Sequence, residues 1–457
     1  MRRIAPVAVA SLVALGCSPA PAPSSASPLP ESSAHPRASV SAAPSAAPSA
    51  EPPAPAPATT VQLDPDGNDE VPLGPVTLPA KPRFVKVGRH WASLQRVCDF
   101  AVRDGALLMA HATRPLGFTG ATLTRYSPGE KTPFSLVFDW NRPGEPETGG
   151  AGGQGFLRLR DIGGRIYVPD ADPPYLGLGV AFGVEGYVFV TNEAGELPRV
   201  GGKGHRPPKA PSAERGGTLL LPGALHVFDV IRFRGKLYAS TGAMVPPKAT
   251  ASRAPGTLFV SGDKPDRWDV AYTYDGAKGE AAVRLSYMTR FRDRLYVAVS
   301  PLYDLDRNDY VVLSPPRDAT ALLPEHARAV QVTASGGAHT LRWYADGGRL
   351  YWITIGADGG ELRVTEDGDR WSKLALPPDV GRPTDLVRAG ERLLVLAERA
   401  LVELEPAGAK VLVRVEEAKS PFQLDDAYCS APLTVFEGRF YAGDQRRGAL
   451  FSLEEAN

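Results

Sequence analysis

Residues 232–238 read RFRGKLY, and the same string returns almost letter for letter as RFRDRLY at 290–296. Weaker copies stand at 163–167 (GGRIY), 347–351 (GGRLY), 390–394 (GERLL) and 437–441 (EGRFY), and the most degenerate, DGALL, at 104–108. Each is a turn of Gly, Asp, Arg or Lys followed at once by Leu or Ile, an aromatic, and small or β-branched residues. A strand–turn–strand corner made seven times constrains the chain more than any other feature, because a supersecondary unit repeated at this spacing buries its faces only against its own copies.

Aligning the apolar residue after each turn gives anchors at Leu107, Ile166, Leu237, Leu295, Leu350, Leu393 and Phe440. The intervals between them vary from 43 to 71 residues, as expected for a constant core unit with variable loops. The third copy shows the unit best: a strand over 226–233, a turn at 234–236, and strands over 237–241, 257–261 and 269–274. Short strands bounded by Gly, Pro and Asp carry the usual signals. The expectation is an all-β chain, a β-propeller of seven four-stranded blades over residues 79–457.

The turn between third and fourth strands carries a resemblance. Ser261-Gly-Asp263-Lys-Pro-Asp-Arg-Trp268 resembles the Asp box of sialidase-type (BNR) propellers, with Pro265 where Gly is usual. Thr365-Glu-Asp367-Gly368-Asp-Arg-Trp371 is a shortened form, and Thr191-Asn-Glu193-Ala-Gly195 a decayed one. Its chemistry is structural: hydroxyl and carboxylate accept hydrogen bonds from the turn's own N–H groups while the aromatic packs between blades. Asp263 and Asp367 are therefore read as turn residues, not catalytic ones. The family's F/Y-R-I-P motif is absent, since Pro82-Arg83-Phe84-Val85 does not match it, so no arginine cluster carries over.

Ahead of the repeats, residues 1–17 read as an export signal: Arg2 and Arg3, an apolar run from Ile4 to Leu15, then Gly16-Cys17. That run is too short to span a bilayer as a helix. Ala14-Leu15-Gly16-Cys17 resembles the lipobox of bacterial lipoproteins, which implies acylation of Cys17; an ordinary signal peptide cut nearby is the alternative. Residues 18–78 are dominated by Pro, Ala and Ser up to about Thr60 and have too few large apolar side chains to offset ordering entropy, so a disordered, semi-stiff tether is expected. Ser18 after the Cys suggests the outer membrane. Asp64-Pro-Asp-Gly-Asn-Asp-Glu70 has the look of a calcium-loop fragment but stands alone and reads as an acidic turn.

Closure of the ring follows from what is left over. After Phe440 only two strands remain before Asn457, so the last blade lacks its outer strand, and the unclaimed segment 83–87 (RFVKV) is expected to supply it. Beyond Cys17 the remaining cysteines, Cys98 and Cys429, open the first strands of the first and last blades, neighbours in a closed ring. In an exported protein such a pair is expected to oxidise; two separate buried thiols are the alternative.

Function is less legible. The balance of 51 basic and 51 acidic residues lacks the concentrated positive face that a nucleic-acid partner requires. No Gly-x-Ser-x-Gly elbow, phosphate loop or paired zinc ligands occur. Loops on a rigid scaffold are where function concentrates, which makes His111, Arg114, Asp170, Asp172, Tyr175, Tyr303, Asp304 and Asp306 candidate ligand-binding residues, with a basic crossing at Lys203, His205, Arg206 and Lys209. Asp304, Asp306, Asn308 and Asp309 offer alternate oxygen ligands at a spacing suited to Ca2+; no other cofactor is implied. The reading is a recognition or scaffold protein, lipid-anchored to the envelope and binding a glycan, peptide or envelope protein through its loop face. The alternative is a sialidase-like hydrolase or lyase using loop-face carboxylates as an acid and base pair.

Overall fold

The computed structural model describes residues 76–90, 96–112, 121–139, 155–170, 185–197, 217–222, 224, 226–242, 256–262, 267–274, 283–301, 308–316, 319, 322–333, 338–346, 348–356, 359–417, 419–425 and 427–456. Among them every long element is a strand, with one short 3-10 turn at Pro324–His326. None of the helices in the described residues is long and apolar enough to cross a membrane.

The first strand, β1 (Pro82–Gly88), stands apart from the strands that follow it in sequence. The first repeat is β2 (Arg96–Arg103), β3 (Ala106–Ala112), β4 (Thr122–Tyr126) and β5 (Phe134–Asp139). The second is β6 (Arg160–Asp161), β7 (Ile166–Pro169), β8 (Glu185–Val190) and β9 (Gly217–Pro222). The third is β10 (His226–Phe233), β11 (Lys236–Gly242), β12 (Thr257–Ser261) and β13 (Trp268–Thr273), each within a residue or so of its expected bounds. Then come β14 (Val283–Phe291), β15 (Arg294–Pro301), β16 (Tyr310–Leu313) and β17 (Ala327–Val330), followed by β18 (His339–Asp346), β19 (Arg349–Gly356), β20 (Gly359–Thr365) and β21 (Ser372–Leu374). The sixth repeat is β22 (Pro383–Ala389), β23 (Arg392–Ala397), β24 (Ala400–Glu405) and β25 (Gly408–Arg414), and the chain ends with β26 (Leu433–Phe436), β27 (Arg439–Gly443) and β28 (Leu450–Glu455).

All pairings are antiparallel, and each repeat is a meander. β1 adds to β28, completing a final sheet of order β1-β28-β27-β26. The segment expected to close the ring does so, with Arg83 opposite Glu454 and Phe84 opposite Leu453. The expectation of seven separate four-stranded blades is corrected. Among the described residues five sheets have four strands, and the third and fourth repeats share one eight-stranded sheet. A single pair, Gly242 opposite Arg284, bonds β11 to β14 and fuses the two meanders.

The repeated corner is a two-residue hairpin with both φ values positive, as at Asp104-Gly105 (49°, 69°), Arg234-Gly235 (49°, 76°) and Glu437-Gly438 (48°, 73°). Such turns match the right-handed twist of the strands they join, and Gly takes the left-handed conformation without a Cβ clash. Second strands such as β3 are buried along their whole length, whereas the fourth strands β21 and β17 are largely exposed. A sheet packed on both faces needs near-continuous apolar runs rather than alternation.

Apolar clusters fill the spaces between successive repeats. Leu108, Phe156 and Phe189 join the first to the second, and an aromatic cluster of Tyr296, Tyr310, Trp343 and Trp352 joins the fourth to the fifth. Met109 with Tyr441 and Leu450 brings the last sheet back against the first, so the sheets form a propeller arrangement. Cys98 and Cys429 are disulfide-bonded across that joint, with Cα atoms 4.8 Å apart.

The turn at 365–371 has the bonding its sequence implies. Asp367 Oδ1 accepts from the N–H groups of Asp369 (2.9 Å) and Arg370 (2.8 Å), Thr365 Oγ1 accepts from Gly368 N (2.9 Å), and Trp371 Nε1 donates to Tyr310 in the neighbouring sheet (3.0 Å). In the other two copies, at 191–195 and 261–268, the hydroxyl does not bond its own turn as expected, and Asp263 lies outside the described residues. Thr191 Oγ1 accepts from Ile166 N (2.9 Å) and Ser261 Oγ from Leu237 N (3.0 Å), in each case the N–H of the repeat's anchor.

Candidate functional site at the axial mouth

Each inner strand runs from the loop face of the ring to its turn face. Five of them carry a β-bulge near the start, at 97–99, 227–229, 285–288, 340–342 and 383–385. A bulge bends its strand and re-aims the side chains beside it. Two layers of polar residues result along the axis.

The deeper layer lies eight positions ahead of the anchors and holds Asp99, Arg158, Asp229, Arg342 and Asp385. Each aspartate bonds the inner strand of the next repeat: Asp99 accepts from Leu159 N, Asp229 from Met288 N and Asp385 from Leu433 N, all at 2.8 Å. Arginines balance them. Arg160 forks onto both oxygens of Asp229 at 2.8 Å and donates to Met288 O. Arg342 lies 3.2 Å from Asp99 and 3.0 Å from Asp385, and Arg158 lies 3.6 Å from Asp99. Burial raises both Asp99 and Asp385 against the pull of Arg342, Asp385 to about 6. A buried charge requires such pairing, and the layer ties neighbouring repeats together.

The outer layer lies eleven positions ahead of the anchors and is basic: Arg96, His226, Arg284, His339 and Arg382. Arg382 is held in its own blade by Glu398 and by Leu424 O. Around Arg284 the groups converge. Its guanidinium carbon is 5.6 Å from the Phe228 ring centroid and 5.1 Å from that of Tyr428. His226 sits 6.0 Å from Phe228, and His339 meets Tyr428 edge-on at 5.4 Å. Tyr428 belongs to the crossing before β26, where Cys429 is bonded to Cys98 and Tyr287 donates its hydroxyl hydrogen to the Tyr428 carbonyl. The disulfide thus fixes an aromatic at the mouth. Gly242 lies beneath it; a Cβ there would come within 2.8 Å of Phe228 and 2.9 Å of Arg284, so only glycine admits this packing.

The residues expected from the sequence fall elsewhere. His111 is not on a loop surface. It is buried, with Nδ1 3.0 Å from Arg96 O and Nε2 2.7 Å from Thr124 Oγ1, and burial depresses its pKa to about 3. Asp170 is also fully buried, its backbone bridging Tyr187 and Val227. Asn308 donates to the Tyr274 hydroxyl (2.8 Å). Both oxygens of Asp309 are taken: Oδ2 by Val332 N and Thr333 N, Oδ1 by the Thr333 hydroxyl and Ala338 N, at 2.7–3.1 Å. Asp309 staples the crossing into β18. Cys17, Arg114, Asp172, Tyr175, Tyr303, Asp304 and Asp306, with the basic crossing at 203–209, lie outside the described residues. No group of three or more metal-ligating His, Cys, Asp or Glu side chains occurs among the described residues.

No protein-family model matches the chain, and no curated protein matches it in sequence. Solved structures similar to it include a catalytically inactive virginiamycin B lyase from Staphylococcus aureus with quinupristin, at 10% identity over 82% of this chain and 100% of that one, with a TM-score of 0.47. The extracellular domain of a putative one-component system from B. thetaiotaomicron matches at 10% identity over 83% of this chain and 40% of that one (TM-score 0.48). Polysaccharide lyase Uly1 matches at 11% identity over 83% and 100% of the two chains (TM-score 0.45).

Proposed function

We propose that the chain is an envelope-tethered recognition protein whose propeller binds a glycan or peptide carrying an anionic group at the loop-face end of the axis. The observation that carries this is the convergence of the part-exposed Arg284, His339 and Tyr428, with the buried Phe228 ring and His226 packed behind the guanidinium. Rigid aromatics beside a cation favour a ligand with a flat or apolar face and a negative group, and pinning by the disulfide lowers the ordering cost of binding. A hydrolase using loop-face carboxylates draws no support from Asp170, which is buried. Asp99, Asp229 and Asp385 are held by backbone N–H groups and arginines, which suits them to joining blades.

On the same reading the eight-stranded sheet counts as two units of the ring, making seven. Cys17 carries the lipid, residues 18–78 hold the domain away from an outer-membrane surface, and Cys17→Ser shifts the protein into the soluble fraction. The decisive test is a glycan and peptide array on the full chain, repeated with Arg284→Gln and Tyr428→Ala. Both variants are expected to weaken the best hit about tenfold, the loss of one charge-assisted or stacking contact. Unchanged binding in both would move the site away from the axis.

A further inference from the structure

The duplicated RFR corner has a consequence at the opposite end of these strands. β10 and β14 end in the turns Arg234-Gly235 and Arg292-Asp293, which lie side by side on the turn face. A cleft of about 590 Å³ opens on the loop face by Lys86 and Arg446, but a second, of about 540 Å³, lies here, lined by Arg234, Arg292, Asp293, Arg294, Ser314 and Pro315. In each copy the central Phe is buried, Phe233 and Phe291, so the flanking arginines are turned outward. Of these, Arg234 and Arg292 reach the cleft, where Arg294 joins them against the single carboxylate of Asp293.

The two turns are not equivalent. Arg234 is committed to structure, donating to the carbonyls of Pro315, Pro316 and Ala319 and so tying the third repeat to the loop of the fourth. Arg294 is bonded to Asp369, which Arg328 also engages. Arg292 is exposed and packs only over Phe291, 5.5 Å from its centroid, with no hydrogen bond or ion pair among the described residues. Its backbone is also unusual. Arg292 and Asp293 both have positive φ, 49° and 61°, with no glycine, whereas the sister turn puts Gly235 at the second position. Non-glycine residues rarely adopt this conformation, and strain of this kind clusters where a ligand is gripped.

We propose that this cleft is an oxyanion site in which Arg292 is the principal binding residue and a phosphate or sulfate group the occupant. A guanidinium without an ion-pair partner offers paired N–H donors to such a group. The Ser314 hydroxyl and the unused N–H groups of Arg294 complete the donor set. Asp293 opposes the anion and sets how weakly it is held. The site lies across the molecule from the axial mouth and does not depend on it.

The test is calorimetric titration of the full chain at low ionic strength with sodium phosphate, with sodium sulfate and with dextran sulfate. Arg292→Gln is expected to weaken binding about tenfold, and Asp293→Asn to tighten it about threefold by removing a like charge. Lys410→Gln, an exposed charge on the outer strand β25, leaves it unchanged. Binding of the free ions identifies a small-anion site. Binding of dextran sulfate alone, lost in Arg292→Gln, identifies an ester borne on a polymer. Absence of saturable binding, equal losses in Arg292→Gln and Lys410→Gln, or weaker binding in Asp293→Asn would each overturn the proposal.

Discussion

Two buried groups make the stability of this domain respond to acid in opposite directions. A carbonyl only accepts, so His111 Nδ1 carries the proton donated to Arg96 O, while Nε2 accepts from the Thr124 hydroxyl. Burial holds this neutral ring at a pKa of about 3, against 6.5 in an unfolded chain. The unfolded state therefore takes up the proton first, and stability is lost as pH falls from 6.5 toward 3. Asp385 runs the other way. Burial lifts it to about 6 from 3.8, so the folded state takes up the proton first and stability is gained as pH falls through 6. The two groups therefore oppose one another over the acid range. Urea unfolding at about pH 7.5 and pH 5 is expected to show His111→Gln losing less stability than the wild type over that interval, and Asp385→Asn losing more. Equal losses in all three would assign the acid response to other groups. Neither residue was legible as a buried group from sequence, where His111 read as part of a loop. The axial residues had a signal in their fixed spacing, eight and eleven positions ahead of each anchor. A bulge between those positions breaks the two-residue alternation that would have shown them pointing the same way.

At the scale of elements, the corners were readable because a type I′ turn admits few residues, and Gly or Asp ahead of Leu-aromatic states both turn and strand. The fusion of the third and fourth repeats was not. It rests on the single Gly242–Arg284 pair, which depends on how closely β11 approaches β14 and not on either sequence. β1 was legible by elimination, and its packing gives it weight. Phe84 meets Phe422 edge-on at 4.8 Å, Val76 and Leu78 pack on the same cluster, and the strand covers the outer edge of β28. Phe84→Ala is expected to cost about 1–2 kcal/mol, since the ring is only partly buried. Removal of residues up to Gly88 should cost several times more, because it also bares a strand edge. Removal up to residue 75 should leave the melting temperature unchanged. Thermal unfolding of the three variants checks this, and equal tolerance of both truncations would show that β1 does not close the ring.

Across the whole molecule, closure is made twice, by β1 on β28 and by Cys98–Cys429, which links residues 331 apart in sequence. The sequence showed both, because an unpartnered strand and a cysteine pair each leave a remainder that a ring accounts for. It did not show that the second closure also holds Tyr428 at the axial mouth. The two roles separate experimentally. In the chain-entropy account a loop of this length, once crosslinked, destabilises the unfolded state by about 4–6 kcal/mol. Cys98→Ser is therefore expected to lower the melting temperature by several degrees, and reduction of the wild type to do the same. The β1 closure remains, so below its melting temperature the variant should keep its β-rich circular dichroism. Its mouth, however, loses the covalent hold on the segment carrying Tyr428, so affinity for an axial ligand should fall while oxyanion binding at Arg292, at the far end of the strands, should not. Non-reduced peptide mapping establishes the bond, and titrations of Cys98→Ser at both sites establish the coupling. Parallel losses at the two sites would mean that the disulfide supports the fold as a whole, and an unaltered melting temperature would mean that β1 alone closes the ring.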